Sequence, residues 1–114
     1  VKMITIQDLW SRKLKKDFLY IDDLIDFVKK IIKKQKNKFE IINCSYGKSY
    51  KIYEILKKII KITKLTKKIV RIKSRSIKIN ISVSNKKAKK LINWLPKTNI
   101  NRGLEKTFLF LKKN

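Results

Sequence analysis

Few residues in this chain have the types and spacing for chemistry. Asp22 and Asp23 stand side by side, and paired carboxylates can in principle act as general acid and base. Gly47-Lys48-Ser49 has the ending of a phosphate-cradling loop. A full loop of that kind needs a second glycine five residues earlier, where Ile42 stands, and one glycine cannot build the nest of N–H groups. Cys44 is the lone cysteine and histidine is absent, which excludes an internal disulfide and a Cys/His metal set. The preferred reading of the two aspartates is local: at a helix start, carboxylates accept orphan N–H groups and complement the dipole.

The elements that would position these residues follow from periodicity. Lys16–Ile21 alternates, with Phe18 and Tyr20 on one side and Leu19 and Ile21 on the other, so a short strand is expected. Leu24, Ile25, Phe27, Val28, Ile31 and Ile32 recur at helical spacing, and lysines gather at the far end; they predict a helix over 23–35. Phe39–Asn43 reads as a strand, and Cys44–Ser49 as a loop. Ile52, Ile55, Leu56, Ile59, Ile60 and Ile62 predict a helix over 50–62, and Lys68–Ile72 a further strand. Residues 73–82 read as an extended loop. Ser84 or Asn85 can cap a short helix carrying Ala88, Leu91 and Ile92, which Trp94-Leu95-Pro96 ends. A last helix carries Leu104, Phe108 and Leu111, with Gly103 in its first turn for close approach of a neighbour. Residues 1–15 fit either a helix end or the lead into a strand. The expected fold class is α/β.

Composition narrows the function. The 114 residues include 43% hydrophobics, enough for a core. Lys and Arg number 32 against 8 acidic residues, a net charge of +24. Such a polycation binds polyanions through counterion release. Yet only Arg12, Arg71, Arg75 and Arg102 are arginines, whereas nucleic-acid readers favour the guanidinium fork. The lysines are spread over every element and accompany much Ile and Asn, so compositional bias is the preferred reading. Non-specific nucleic-acid binding is expected either way. No apolar run approaches the roughly 20 residues needed to span a bilayer, and a lone thiol fits a cytoplasmic protein.

Four separated motifs carry a family likeness. Lys16-Asp17-Phe18-Leu19-Tyr20-Ile21-Asp22-Asp23-Leu24 resembles R-D-F-I-Y-V-D-D-[LV]. The segment Phe39–Tyr50 is similar to E-x-Y-N-I-G-[ST]-G-x-x-x-[ST]. Asn85–Thr98 resembles S-K-A-K-K-L-L-G-W-x-P-[KR]-[TV], and Ile100–Thr107 resembles [SL]-x-x-G-L-x-K-T. In this order and spacing they resemble the C-terminal part of the extended short-chain dehydrogenase/reductases, the NAD(P)-dependent epimerases and dehydratases of nucleotide sugars.

The resemblance implies site residues. An arginine before the Asp17 position often reaches the substrate diphosphate in that family; here it is Lys16, which keeps the charge and loses the fork. A basic residue in the loop before the third motif contacts the substrate's phosphate or ribose, and Arg75 is preferred over Arg71 because it lies within that loop. The family's aspartate before that helix is replaced by Ser84. Asp17 reads as orienting its neighbours, structurally or beside the substrate. The family's G-x-x-G-x-x-G cofactor fingerprint is missing, so no cofactor site is expected on this chain, while NAD or NADP is implied for the intact enzyme. Its catalytic Tyr/Lys pair also lacks a counterpart: Tyr53 and Lys57 match Y-x-x-x-K but fall inside an amphipathic helix in the wrong half of the motif order. No catalytic residue and no metal site are assigned.

The expectation is therefore a substrate-binding domain over 16–114, with 1–15 connecting it to a missing N-terminal cofactor-binding domain. Val at position 1 leads us to expect a larger reading frame. The intact enzyme would bind a nucleoside-diphosphate sugar for epimerisation, dehydration or reduction, as a possible homodimer in the cytoplasm. The alternatives are a small basic nucleic-acid- or polyanion-binding module and a purely structural interaction domain.

Overall fold

A computed structural model describes residues 3–7, 14–36, 39–64, 68–72 and 79–113. In chain order these form β1 (Met3–Gln7), β2 (Lys15–Asp17), α1 (Ile21–Lys34), β3 (Ser49–Lys51), α2 (Ile52–Thr63), β4 (Lys68–Ile72), α3 (Lys86–Ile92) and α4 (Ile100–Lys113). β1 runs parallel to β4, with Met3 opposite Lys68 and Gln7 opposite Ile72. β2 pairs antiparallel with β3, placing Lys16 opposite Tyr50 and Asp17 opposite Ser49. The chain is α/β, as expected.

Three predicted boundaries move. Of the strand expected over 16–21, pairing reaches only to Asp17, because the N–H groups of Asp23 and Leu24 already bond the Tyr20 carbonyl and the first helical turn begins there. The helix expected from residue 50 starts at Ile52, since Ser49–Lys51 pair with β2 instead. Phe39–Asn43, expected as a strand, pairs with no strand among the described residues.

The core lies between α1 and α3. Phe27, Ala88, Ile92 and Trp94 are buried together, and Leu19, Ile31, Ile42, Cys44 and Leu91 pack around them. Trp94 is fully buried and meets Phe27 edge-on at 5.1 Å between ring centroids and 81° between planes. Its ring thus goes against α1. Burying a side chain such as Ile92 or Phe27 contributes about 1.5–3 kcal/mol, so this small cluster carries much of the fold. α3 ends as its sequence requires: Asn93 takes the left-handed conformation (φ 52°) and its N–H closes on Lys89.

A second layer pairs α2 with α4. Ile59 and Ile62 face Leu104, Phe108 and Leu111 across an apolar cleft of about 160 Å³. The β-branched residues of α2 disfavour an isolated helix, and this packing compensates. Asn99 starts α4: its side-chain carbonyl accepts the Arg102 N–H at 2.9 Å. Gly103 is buried against Tyr20, where an added Cβ would sit 3.4 Å from the ring. Close approach is therefore what the glycine permits.

Candidate functional site

The site the motifs point to is built around β2 and the turn that follows residue 44. Asp17 Oδ1 accepts the Tyr46 N–H at 2.8 Å, and Oδ2 accepts the Gly47 N–H at 3.0 Å. A carboxylate holding two successive amides fixes a turn with charge-assisted bonds, about 1.5–3 kcal/mol each where water is excluded. Asp17 orients its neighbours, and these are the neighbours. Gly47 sits at φ 85°, where an added Cβ would approach Asn85 Nδ2 to 2.6 Å. The Asn85 amide is engaged there: it donates to the carbonyls of Ser45 and Tyr46. Consequently Asn85, at the N-cap position of α3, does not cap it with its side chain; Ser84 Oγ accepts the Lys86 N–H instead.

Segment 79–83 closes the other side. Ile81 N–H donates to the Lys15 carbonyl, Lys15 N–H donates to Asn80 Oδ1, and the hydroxyls of Ser49 and Ser45 donate to the carbonyls of Ile81 and Val83. Lys16 reaches along this edge, its ammonium 2.7 Å from the Ile79 carbonyl. It is half-buried, with Tyr50 directly opposite. The second predicted site residue, Arg75, lies outside the described residues. Arg71 lies on β4 opposite Ile6. Tyr50, opposite Lys16, tilts toward Tyr46 at 6.2 Å between ring centroids, and Lys48 Nζ stands 5.2 Å from the Tyr50 ring centroid. Burial foremost, then the neighbouring Tyr50 and the charges of Asp23 and Asp17, push the Tyr46 hydroxyl above its usual pKa.

The two aspartates of the first motif divide differently from the cap expected of them. Asp22 is exposed in the first turn of α1. Asp23 is buried, and its carboxylate accepts the N–H groups of Lys97 (3.1 Å) and Thr98 (3.0 Å), pinning the chain that enters α4. Its carbonyl accepts the indole N–H of Trp94 at 3.1 Å. Asp23 is thus a clamp between α1 and the segment after α3. The signal was in the spacing: Asp23, Phe27 and Ile31 share one helix face, and a carboxylate on the core face must find donors.

The remaining candidates sit apart from this turn or are engaged in packing. Cys44 has its thiol pushed up from 9.0 to about 11, by burial first and then by the charges of Asp17 and Asp23, which keeps it protonated and poorly nucleophilic at neutral pH. Lys57 places its ammonium over the Tyr53 ring, 4.9 Å from the centroid, on the exposed side of α2. Gly47-Lys48-Ser49 leads into β3, not into a helix. Among the described residues no group of His, Cys, Asp and Glu could hold a metal, and no helix is long and apolar enough to cross a membrane. A cleft of about 140 Å³ lined by Phe18, Tyr20, Asn99, Gly103 and Leu104 lies where the β2–α1 junction meets α4.

No protein-family model and no curated protein matches the chain, but solved structures do. An epimerase from Methanothermobacter thermautotrophicus superposes on 99% of this chain with a TM-score of 0.90 at 20% identity, through 34% of its own length. A UDP-glucuronic acid 4-epimerase from Bacillus cereus, in complex with UDP-glucuronic acid and NAD, covers 98% with a TM-score of 0.86 at 25% identity, through 36% of its length. A UDP-glucose 4-epimerase from Thermotoga maritima, with UDP-glucose, covers 97% with a TM-score of 0.84 at 25% identity, through 35% of its length. The chain therefore spans about a third of the proteins it matches. The chain thus shares its fold with a third of these NAD-dependent epimerases and dehydratases, and its four motifs in order resemble the C-terminal part of that extended short-chain dehydrogenase/reductase family.

Proposed function

We propose that this chain is the substrate-binding portion of an NAD(P)-dependent nucleotide-sugar epimerase, dehydratase or reductase, and that it is catalytically inactive without a cofactor-binding domain. Residues 16–114 form the substrate side and residues 1–15 lead in from the cofactor side. The observation that carries this reading is the superposition of nearly the whole chain on 25%-identical epimerases captured with UDP-sugars. Lys16 takes the substrate diphosphate. Its Ile79 bond uses one of three ammonium donors and holds the charge beside the segment that follows Arg75. Arg75 supplies the second cation of the pair.

Calorimetric titration with UDP-glucuronic acid tests this. Binding should weaken about tenfold in Lys16→Gln and again in Arg75→Gln, since a charged hydrogen bond is worth roughly 1.5–3 kcal/mol. Lys16→Arg should restore or improve it. No saturable binding, or unchanged affinity in Lys16→Gln, would contradict the assignment.

A basic polyanion-binding module is the second reading, favoured by the net charge of +24 and by the exposed lysines 86, 89 and 90 of α3. It predicts affinity for any polyanion that falls steeply with salt and is indifferent to the sugar.

A further inference from the structure

Between the second half of α2 and the start of α4 lies a polar cleft of about 480 Å³, lined by Lys58, Lys61, Ile62, Lys64, Asn101 and Glu105. Ile62 also lines the apolar cleft shared by the same two helices, so the walls belong to packed elements. Lys58 and Lys61 are three residues apart on α2 and lie on one face. Lys64 follows the last turn with φ 54°, the left-handed position where helices commonly end on glycine. The half-buried Lys58 ties the walls together, its ammonium donating to Asn101 Oδ1 at 2.9 Å. That bond leaves Lys58 two further N–H donors and Asn101 both of its amide N–H groups. Lys61 and Lys64 are exposed, and among the described residues neither has a hydrogen bond or an ion pair. Glu105 is the lone acid of the lining, and Arg102 Nη1 stands 3.7 Å from its Oε2 and offsets its charge.

We infer that this cleft is a binding site for a condensed phosphate, either a free polyphosphate or the triphosphate of a nucleotide. Three ammonium groups on one short stretch repel one another until an anion lies between them, and lysine serves phosphate as a point charge without demanding a fixed geometry. The volume falls in the range of about 300–1,000 Å³ typical of small-molecule sites, which suits a chain of phosphates and not a single one. Terminal phosphates carry a second ionisation. The diphosphate of a nucleotide sugar is esterified at both ends and has none, so it matches three cations poorly. The cleft also shares no residue with the turn around Lys16. Charge alone does not select this place: the exposed lysines 86, 89 and 90 of α3 line none of the clefts described.

Calorimetric titration of the whole chain with tripolyphosphate at physiological salt should saturate at one site. The double variant Lys61→Gln/Lys64→Gln should weaken binding about tenfold. Glu105→Gln removes the carboxylate of the lining and should strengthen it about threefold. Lys86→Gln/Lys90→Gln takes the same charge from α3 and should change it by less than about twofold. All of these side chains are exposed, so far-UV dichroism and melting should stay unchanged in the three variants. Amide shifts should centre on Lys61–Lys64 and Asn101–Glu105, and UDP-glucuronic acid should not displace the tripolyphosphate, so the site and the proposed function can fail separately. ATP in place of tripolyphosphate tells the source: equal affinity marks the bare phosphate chain, tighter binding a nucleotide, and both uphold the site. No saturable binding, an equal loss in the α3 pair and the cleft pair, or displacement by sulfate at matched ionic strength would overturn the inference. So would an RNA that binds more tightly than tripolyphosphate and depends on the α3 lysines as much as on those of the cleft.

Discussion

The two faces of α1 are built from similar residues and have opposite fates. The inner face carries Asp23, Phe27 and Ile31, where the aromatic ring is buried and both carboxylate oxygens are bonded. The outer face carries Ile21, Leu24, Ile25, Val28 and Ile32, all exposed, Ile32 at 78%. Hydrophobicity alone does not tell them apart. What separates them is the rest of this chain: α3 and Trp94 cover one face, and nothing among the described residues covers the other. A fold can be locally complete, with its polar groups answered, and still present a surface whose partner it does not contain.

Substitutions on the inner face should cost most. Trp94→Ala empties the centre of the α1–α3 core and should lose about 3–5 kcal/mol, read as the midpoint of chemical denaturation; a loss below 1 kcal/mol would show that the two helices are held by something else. Asp23→Ala strands the N–H groups of Lys97 and Thr98 and should cost roughly 3 kcal/mol. Asp17→Ala, at the more open turn, should cost about half as much and loosen the amides of Tyr46 and Gly47 in hydrogen exchange. Equal losses at the two aspartates would remove the distinction drawn between a buried clamp and a site clamp. Gly47→Ala combines a positive φ with a contact on Asn85 and should cost about 1–2 kcal/mol. Smallest is the outer face, where Ile32→Gln should leave monomer stability within about 0.5 kcal/mol while reducing binding of an apolar dye. A large loss there would mean that the stripe is already in use.

The thiol beside the core gives a pH test. Cys44 has its pKa raised from 9.0 to about 11 in the fold, so the proton is held more tightly folded than unfolded. Its contribution to stability is complete below pH 9 and is lost as pH rises toward about 11. Iodoacetamide should accordingly label the unfolded chain much faster than the folded one at pH 8.5. Equal rates would contradict the shielding of the thiol.

Much of this was legible in the residues. Helical spacing placed the starts of α1 and α2 to within two residues and foresaw α3 and α4, and the run Lys68–Ile72 is the strand β4. Asp17 and Asp23 were visible as unusual, but their donors lie about 29 and 74 residues away in sequence, beyond any local pattern. Phe39–Asn43 has the composition of a strand and lacks a strand to pair with, because pairing depends on a neighbour and composition does not encode one. Lys16 was singled out by motif as a candidate, and its bond to Ile79 emerged only when the fold brought segment 79–83 against β2.

The most direct test of the account is a two-dimensional amide NMR titration of the chain with UDP-glucuronic acid at low and at high salt. The account predicts saturable shifts confined to Lys16, Tyr46–Tyr50 and Ile79–Ile81, persisting in salt and lost in Lys16→Gln. Shifts spread over the lysines of α3, vanishing with salt and reproduced by polyphosphate, would contradict it.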